Sequence, residues 1–279
     1  MAYKTILTII TDPALLETTL AAASDLARAQ GAHLDVLCLG IDRTQVTGFY
    51  PGDGMILLDQ TLQQAREEAQ ALHQTAQKMM QQQDIRWSLD WGAAQTGGTG
   101  SLVAERAQFC DLVVLPKPAA KPDNRDADML IEAALFDGQA PVLLVPPGGF
   151  PPNWGDNVVV AWNQSHEAMR ALRAALPLLQ AAKSVSIAIV DPPRHGAERS
   201  DPGGALSQML VRHGVHAEVS VLARTLPKVS DVLNRHARDR GAMLMVMGAY
   251  GHSRLREYVL GGATRSMIDG AEVPVFLAH

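Results

Sequence analysis

Short apolar runs alternate along the chain with longer stretches in which apolar residues recur every three or four positions. Residues 5–10 (TILTII) form one such run, and residues 158–162 (VVVAW) form another; each precedes a polar residue and an Ala/Leu-rich stretch. Continuous apolar runs are typical of parallel strands that are covered on both faces by helices. The alternation therefore predicts βαβ units with right-handed crossovers, which build a doubly wound α/β fold.

This pattern occurs twice in the chain. Each half ends on a strand that begins at a proline, Pro141 or Pro274, and a further apolar run ends at Pro116 or Gly248. The two spacings, 25 and 26 residues, are nearly equal. We interpret the chain as two tandem Rossmann-like domains, 1–147 and 156–279, each with a five-stranded parallel sheet. The Pro/Gly-rich linker, 148–155, is too short and too apolar for a loose tether, so we expect the domains to pack together.

The periodicity also places individual elements. In the second half it predicts strands near 157–162, 184–190, 216–222, 242–247 and 274–278, and helices near 165–182, 202–213, 227–240 and 262–270. Ser165 is typical of a helix N-cap. In the first half, a helix near 56–82 carries a stripe that favours core packing over a partner helix: Leu58, Leu62, Ala65, Ala69, Leu72, Ala76 and Met79.

Charge is distributed unevenly between the halves. Residues 1–150 hold 10 Lys+Arg and 18 Asp+Glu, whereas residues 151–279 hold 14 and 11, for a total net charge of −5. An anionic ligand would therefore be favoured by the second half. The acidic total argues against nucleic acid as the main partner.

The composition points to a cytoplasmic protein. No apolar run approaches the ~18–20 residues that span a bilayer, and the N-terminal residues do not read as a signal peptide. Cys38 and Cys110 are too few for a disulfide framework or a four-cysteine zinc site. Both lie in apolar stretches, so we expect buried, inert thiols.

The chemically informative segment lies between the last two strands of the second half. Gly248 and Gly251 allow a sharp turn and a close approach of the backbone to a ligand. Gly261 and Gly262 precede a helix whose first amides favour an anion. These residues predict a phosphate site, although a tight turn followed by a helix boundary would give the same pattern.

The spacing G-x2-G-x9-G, followed closely by Thr264, resembles the universal stress protein family, and the duplicated βαβ layout extends the resemblance over nearly the whole chain. The resemblance implies the strand order 3-2-1-4-5 and one bound ATP or ADP with Mg²⁺. It also implies that the final strands of the two domains, 141–145 and 274–278, meet as an intrachain pseudo-dimer, with a homodimer as a further possibility. The binding residues it implies are Ala161, Trp162, Asn163, Val190, Met247, Gly248, Gly251, His252, Gly261, Gly262, Ala263 and Thr264.

Two positions depart from the family pattern. Gly262 stands where the family has a small hydroxyl residue, which leaves Thr264 to supply a hydroxyl. Asn163 replaces the usual aspartate at the adenine position, so base selectivity is less strictly specified. Trp162 either stacks on the base or packs under the first helix of its domain.

The first copy lacks the phosphate segment. Residues 115–119 (LPKPA) replace the first glycine pair, and proline removes an N–H that a phosphate would need. Residues 132–135 (EAAL) stand where the second glycine pair is expected. Asp12 is retained at the adenine position, but no phosphate-binding glycines accompany it. We therefore predict that the first copy does not bind ATP.

Several enzyme classes are disfavoured. The sequence has no P-loop, no His-x-Gly-His and no G-x-G-x-x-G after either first strand. An ATP-binding stress-response regulator is the favoured interpretation. Slow ATP hydrolysis and an interaction module without nucleotide remain the alternatives.

Overall fold

A computed structural model describes residues 2–44, 53–118, 125–192, 201–249 and 262–279, with the backbone alone for residues 53–58 and 125. These residues divide into two compact units. The N-terminal unit lies within residues 2–149 and the C-terminal unit within 150–279, except that Lys117 and Pro118 group with the latter.

The N-terminal unit is a parallel sheet in the order β3-β2-β1-β4-β5. Its described elements are β1 (Thr5–Ile10), α1 (Pro13–Gln30), β2 (His33–Asp42), α2 (Asp53–Met80), β3 (Arg86–Gln95), α3 (Thr96–Ala107), β4 (Leu112–Pro116), α4 (Arg125–Glu132), a π-helical turn (Ala133–Asp137) and β5 (Val142–Val145).

The C-terminal unit repeats this topology, in the order β8-β7-β6-β9-β10. Its described elements are β6 (Asn157–Ala161), α5 (His166–Ala174), α6 (Leu176–Ala181), β7 (Ser184–Val190), α7 (Gly204–Arg212), β8 (Ala217–Leu222), α8 (Val229–Asp239), β9 (Leu244–Gly248), α9 (Ala263–Gly270) and β10 (Val275–Ala278). The predicted α/β class and the order 3-2-1-4-5 are confirmed in both units.

The central strands form the core of each unit. The residues of β5 and β10 are all buried, as are the first four of β4 and of β9, which agrees with their continuous apolar sequence. On α2 the buried positions are Ala65, Ala69, Leu72, Ala76 and Met80. The stripe therefore packs on the sheet as expected, but it ends at Met80, whereas Met79 is only half-buried.

The single helix predicted over 165–182 is wrong. The structure has two helices there, α5 and α6, which meet at Ala175. Pro177 lies in the first turn of α6, where its missing N–H costs nothing, whereas inside a continuous helix it would remove a hydrogen bond and clash with the preceding turn.

The two thiols differ in exposure. Cys38 is buried, as expected, but Cys110 is half-exposed, so the prediction of burial is wrong for Cys110. Cys110 follows α3, and its Sγ donates to the carbonyl oxygen of Arg106 at 3.4 Å. Desolvation raises the pKa of both thiols to about 12, so both are protonated at neutral pH.

None of the described helices combines the length and the apolar character that a membrane crossing requires.

Candidate functional site

The candidate site lies where the strand order of the C-terminal unit changes direction. The chain leaves β6 towards β7, whereas β9 pairs with the opposite side of β6. Ligands of open α/β sheets bind outside the carboxyl ends of the strands at such a switch point. We call this edge of the C-terminal sheet the carboxyl edge.

Three strands bring predicted site residues to the carboxyl edge. Ala161, the last residue of β6, is in register with Met247 of β9. Val190 ends β7 and is half-buried, and Gly248 ends β9. The fold therefore gathers Ala161, Val190, Met247 and Gly248 from three adjacent strands. Met247 is only 6% exposed, so its side chain belongs to the core.

Gly248 has a structural requirement that the sequence did not reveal. A Cβ atom at this position would lie 2.6 Å from the carbonyl carbon of Glu167 and 2.9 Å from the Cα of Ala168. The missing side chain thus lets the first turn of α5 pack directly against the end of β9. Sequence reasoning assigned this glycine to ligand approach, whereas the observed contact is between a helix and a strand.

Trp162 lies directly after β6 and is buried. Its backbone N–H donates to the carbonyl oxygen of Ala188, which extends the pairing of β6 with β7 by one residue. Continuing the β6–β9 register by one residue sets Trp162 beside Gly248, which indicates that its side chain is on the face that α5 covers. The residue is only 7% exposed, and its indole Nε1 has no hydrogen-bond partner among the described residues. This burial favours packing over base stacking.

Asn163 and Ser165 shape the connection from β6 to α5. Asn163 Oδ1 accepts a hydrogen bond from the Ser165 N–H at 3.1 Å. Ser165 Oγ in turn accepts one from the Ala168 N–H at 3.1 Å, so the predicted N-cap is confirmed. The carboxamide of Asn163 is therefore oriented by the backbone at the carboxyl edge.

Two residues of this edge adopt left-handed backbone conformations without being glycine. Gln164 has a φ of 64° after β6, and Asp191 has a φ of 47° after β7. Such conformations are uncommon outside glycine, asparagine and aspartate, and they concentrate at functional sites. The sequence offered no signal for Gln164, because glutamine has no special preference for this conformation.

The start of α9 is the part of the candidate site at which the sequence predicts an anion. Gly262 is the N-cap residue, with φ −54° and ψ 161°, and it provides no side-chain cap. Ala263 is exposed, whereas Thr264 is 4% exposed. The first turn of α9 contains no acidic residue, so nothing in it opposes the positive end of the helix dipole. Gly251, His252 and Gly261 lie outside the described residues.

Glu167 adds an acidic side chain to the first turn of α5. Burial tends to raise the pKa of Glu167, but hydrogen bonds from its own N–H and from Ser165, together with the nearby His279 and His166, hold the pKa below its ordinary value. The first turn of α5 therefore carries a negative charge at neutral pH. Phosphate groups are better accommodated at α9 than at α5.

The corresponding edge of the N-terminal unit is built differently. Asp12 Oδ1 accepts from the Ala14 N–H at 2.8 Å and caps α1, which begins immediately at Pro13. The β1–α1 connection is thus residues 11–12, whereas the β6–α5 connection is residues 162–165. The shorter connection leaves less backbone at the position where the family resemblance places adenine.

The helix that corresponds to α9 is also unlike it. α4 begins at Arg125, so residues 132–135 lie at its end and in the π-helical turn, not at the position of the second glycine pair; that part of the sequence comparison is wrong. The first turn of α4 contains Asp126 and Asp128. Acidic side chains suit the first turn of a helix, and they repel phosphate.

A cleft of about 170 Å³ lies at the end of β2 in the same unit, with Asp42 among its lining residues. The Asp42 carboxylate accepts from the Thr44 N–H at 2.9 Å and from the Thr61 hydroxyl at 3.1 Å. Burial tends to raise its pKa, but these hydrogen bonds lower it below the ordinary value. The cleft is therefore lined by an ionised carboxylate.

Side chains of His, Cys, Asp and Glu do not form a group of three or more suited to a metal ion within the described ranges. An ATP-bound Mg²⁺ needs no such group, because phosphates and water supply most of its ligands.

The geometry defines a doubly wound α/β domain with a candidate anion site at its switch point, and comparisons with known proteins refine this class. Residues 155–279 match the model of the universal stress protein family. Universal stress protein Slr1230 of Synechocystis sp. is 31% identical over 72 residues, which are 26% of this chain and 24% of that protein. The alignment therefore spans about a quarter of this relative.

Solved structures resemble the whole chain. A universal stress protein from Archaeoglobus fulgidus has a TM-score of 0.70 and 17% identity, covering 98% of this chain and 95% of that one. A putative universal stress protein from Pseudomonas aeruginosa has a TM-score of 0.56 and 19% identity, covering 99% and 93%. At these identities the likeness shows the fold alone. The match to the family model assigns the C-terminal unit, residues 155–279, to the universal stress proteins, and the solved structures show that the whole chain shares their fold.

Proposed function

We propose that the C-terminal unit binds one ATP or ADP, with Mg²⁺, at its carboxyl edge, and that the N-terminal unit binds none. The triphosphate lies at the start of α9, and the adenine lies near Asn163 and Val190. In this proposal the protein acts in the cytoplasm as a stress-response regulator whose nucleotide state is sensed by a partner. The packing of the two units as a pseudo-dimer remains a prediction.

The main support is the contrast between α9 and α4. Both helices connect the fourth and fifth strands of their units, so they occupy equivalent places in the fold. α9 has Gly262 at its N-cap and no acidic residue in its first turn, whereas α4 has two aspartates in its first turn. A helix N-terminus favours phosphate through its amides and its dipole, and carboxylates in the first turn cancel that preference.

Asn163 supports recognition of the base. Its amide offers both a donor and an acceptor, as does the edge of a purine. The hydrogen bond from the Ser165 N–H fixes the carboxamide orientation before a ligand arrives, which lowers the entropy cost of binding. The left-handed residues after β6 and β7 bend the chain at the same place.

The test combines identification of bound ligand with a charge substitution at the α9 N-cap. Mass spectrometry of ligand released from the purified chain, and calorimetry with MgATP, should give one nucleotide per chain. Gly262→Asp should abolish binding because it places a carboxylate where the phosphates lie. Gly262→Asn is the matched control, because both residues cap helices well but asparagine carries no charge.

The outcomes separate the claims. No heat with millimolar MgATP for the native chain would refute nucleotide binding. Equal affinity of Gly262→Asp and Gly262→Asn would show that the phosphates lie elsewhere. A stoichiometry of two nucleotides would refute the assignment of a single site.

A further inference from the structure

A buried polar network connects α8 to the outer strands of the C-terminal sheet. His236 is 8% exposed, and its Nε2 lies 2.9 Å from the Ser186 hydroxyl on β7. The Ser186 hydroxyl lies 3.2 Å from that of Ser220 on β8. Arg240 donates to the Ser220 hydroxyl at 3.2 Å and to the Glu218 carboxylate at 2.9 Å.

The direction of this network depends on which nitrogen of the imidazole carries a proton. Because the Arg240 guanidinium can only donate, the Ser220 hydroxyl accepts from it. In one neutral tautomer Ser186 donates to an unprotonated Nε2, and in the other Nε2 donates to Ser186. Protonation puts a proton on both ring nitrogens, so that Nε2 can only donate, and it places a second positive charge near Arg240.

The charged groups around the ring do not compensate that charge. Burial lowers the pKa of His236, Arg240 lowers it further, and Asp239 acts in the opposite direction. On β7 the ring meets the Ser186 hydroxyl, and on β8 the Glu218 carboxylate is already paired with Arg240. Beyond the C-terminal end of α9, Glu272 is paired with Arg238 of α8 at 3.2 Å.

We propose that His236 is an acid-sensitive switch: its protonation loosens α8 from the sheet and, through α8, displaces α9. The regulatory consequence, weaker nucleotide binding in acid, rests on the proposed function. The displacement of α8 and α9 does not.

The link from α8 to α9 consists of observed contacts on either side of His236 in the sequence. Asn234 Nδ2 donates to the carbonyl oxygen of Gly270, the last residue of α9, at 3.3 Å. Arg238 pairs with Glu272, two residues beyond α9. A shift of α8 thus reaches the helix whose first turn forms the candidate phosphate site.

The sign of the pH dependence follows from the lowered pKa. Above the unfolded-state pKa of about 6.5, both states are neutral and the native network keeps its full stability. As the pH falls below about 6.5, the unfolded chain binds a proton more readily than the folded one, so stability decreases until the folded pKa is passed. Each unit of difference in pKa lowers the folding equilibrium constant tenfold.

The first experiment measures unfolding by urea at pH 7.5 and 5.5 for the native chain, His236→Gln and His216→Gln. Glutamine places an amide near the position of Nε2 but does not titrate. His216 is exposed, so its substitution controls for the loss of one histidine. The native chain and His216→Gln should lose stability on acidification by a clearly larger factor than His236→Gln. Equal losses in all three would overturn the switch.

The second experiment follows hydrogen exchange of the α9 amides at pH 5.5. Exchange should be faster in the native chain than in His236→Gln, and equal rates would overturn the displacement of α9. The affinity for MgATP, measured at both pH values, should fall more in the native chain than in the variant; an equal fall would overturn the regulatory consequence. A complete lack of ATP binding at pH 7.5 would instead refute the proposed function, and with it the weaker binding of nucleotide in acid. The urea unfolding and hydrogen-exchange experiments would still test the His236 switch.

Discussion

Replacing Gly248 by alanine tests whether this glycine serves helix packing or ligand binding. The new methyl group would lie 2.6 Å from the carbonyl carbon of Glu167 and 2.9 Å from the Cα of Ala168. Carbon atoms in good contact are about 3.5–4.0 Å apart. The first turn of α5 would have to move by about 1 Å, because both obstructing atoms belong to its backbone and no rotamer change relieves the clash.

The cost has two parts. Overpacking of a filled core costs about 1–3 kcal/mol. The same movement withdraws the Ala168 N–H from the Ser165 hydroxyl, which is 3.1 Å away, and loss of an N-cap costs about 1 kcal/mol. We therefore expect Gly248→Ala to lower the free energy of unfolding by about 2–4 kcal/mol in the absence of any nucleotide.

Urea unfolding of the nucleotide-free protein, followed by circular dichroism, measures this loss. Gly155→Ala is the matched control, because a Cβ at Gly155 has no atom within 4 Å, and it should change stability by less than about 0.5 kcal/mol. If Gly248→Ala unfolds like the control but binds MgATP more weakly, the packing argument is wrong and the glycine serves the ligand.

Three further predictions concern local contacts. Ser165→Ala should destabilise the nucleotide-free chain by about 0.5–2 kcal/mol in urea unfolding, because α5 loses its N-cap, and Ser165→Asp should recover most of the loss. Gly40→Ala should lower the thermal midpoint strongly, because a Cβ there overlaps the backbone of Ala65 in α2; an unchanged midpoint would contradict that packing. Asp42 has a lowered pKa, so its contribution to stability is present above about pH 3.9 and is lost as the pH falls through the folded pKa. Unfolding at pH 5 and pH 3 should therefore show a larger loss for the native chain than for Asp42→Asn, and equal losses would refute the assignment.

The repeated sheet topology was predictable because it depends on a strong and local signal. Continuous apolar runs such as residues 158–160 define strands that are buried on both faces, and the five strands of the C-terminal unit were placed to within one or two residues. The strand order came from the family resemblance, since periodicity alone does not order strands. Helix boundaries were less accurate where a proline within an apolar pattern, Pro177, starts a new helix.

The details of the candidate site were less predictable, because they depend on contacts between elements that are distant in sequence. Gly248 carried a glycine signal, but a sequence cannot show that the obstructing atoms belong to α5, about 80 residues earlier. The burial of Trp162 and the left-handed conformation of Gln164 likewise arise from how the β6–α5 connection meets its neighbours. Residues 132–135 were wrongly set at the position of the second glycine pair, because that comparison did not consider Asp126 and Asp128, which favour a helix N-terminus.

The two units share one fold, but the connections at the carboxyl ends of their sheets are built differently. Their sheets share the strand order, yet the connection after the first strand is two residues long in one unit and four in the other. The first turn of α4 contains two aspartates, whereas α9 has Gly262 at its N-cap and no acidic residue in its first turn. Neither change disturbs the buried strands, because both lie in connections and first helical turns. The proposed anion site can therefore differ between the two copies without a cost to the core, and the net charges of the two halves differ in the direction that this proposal requires.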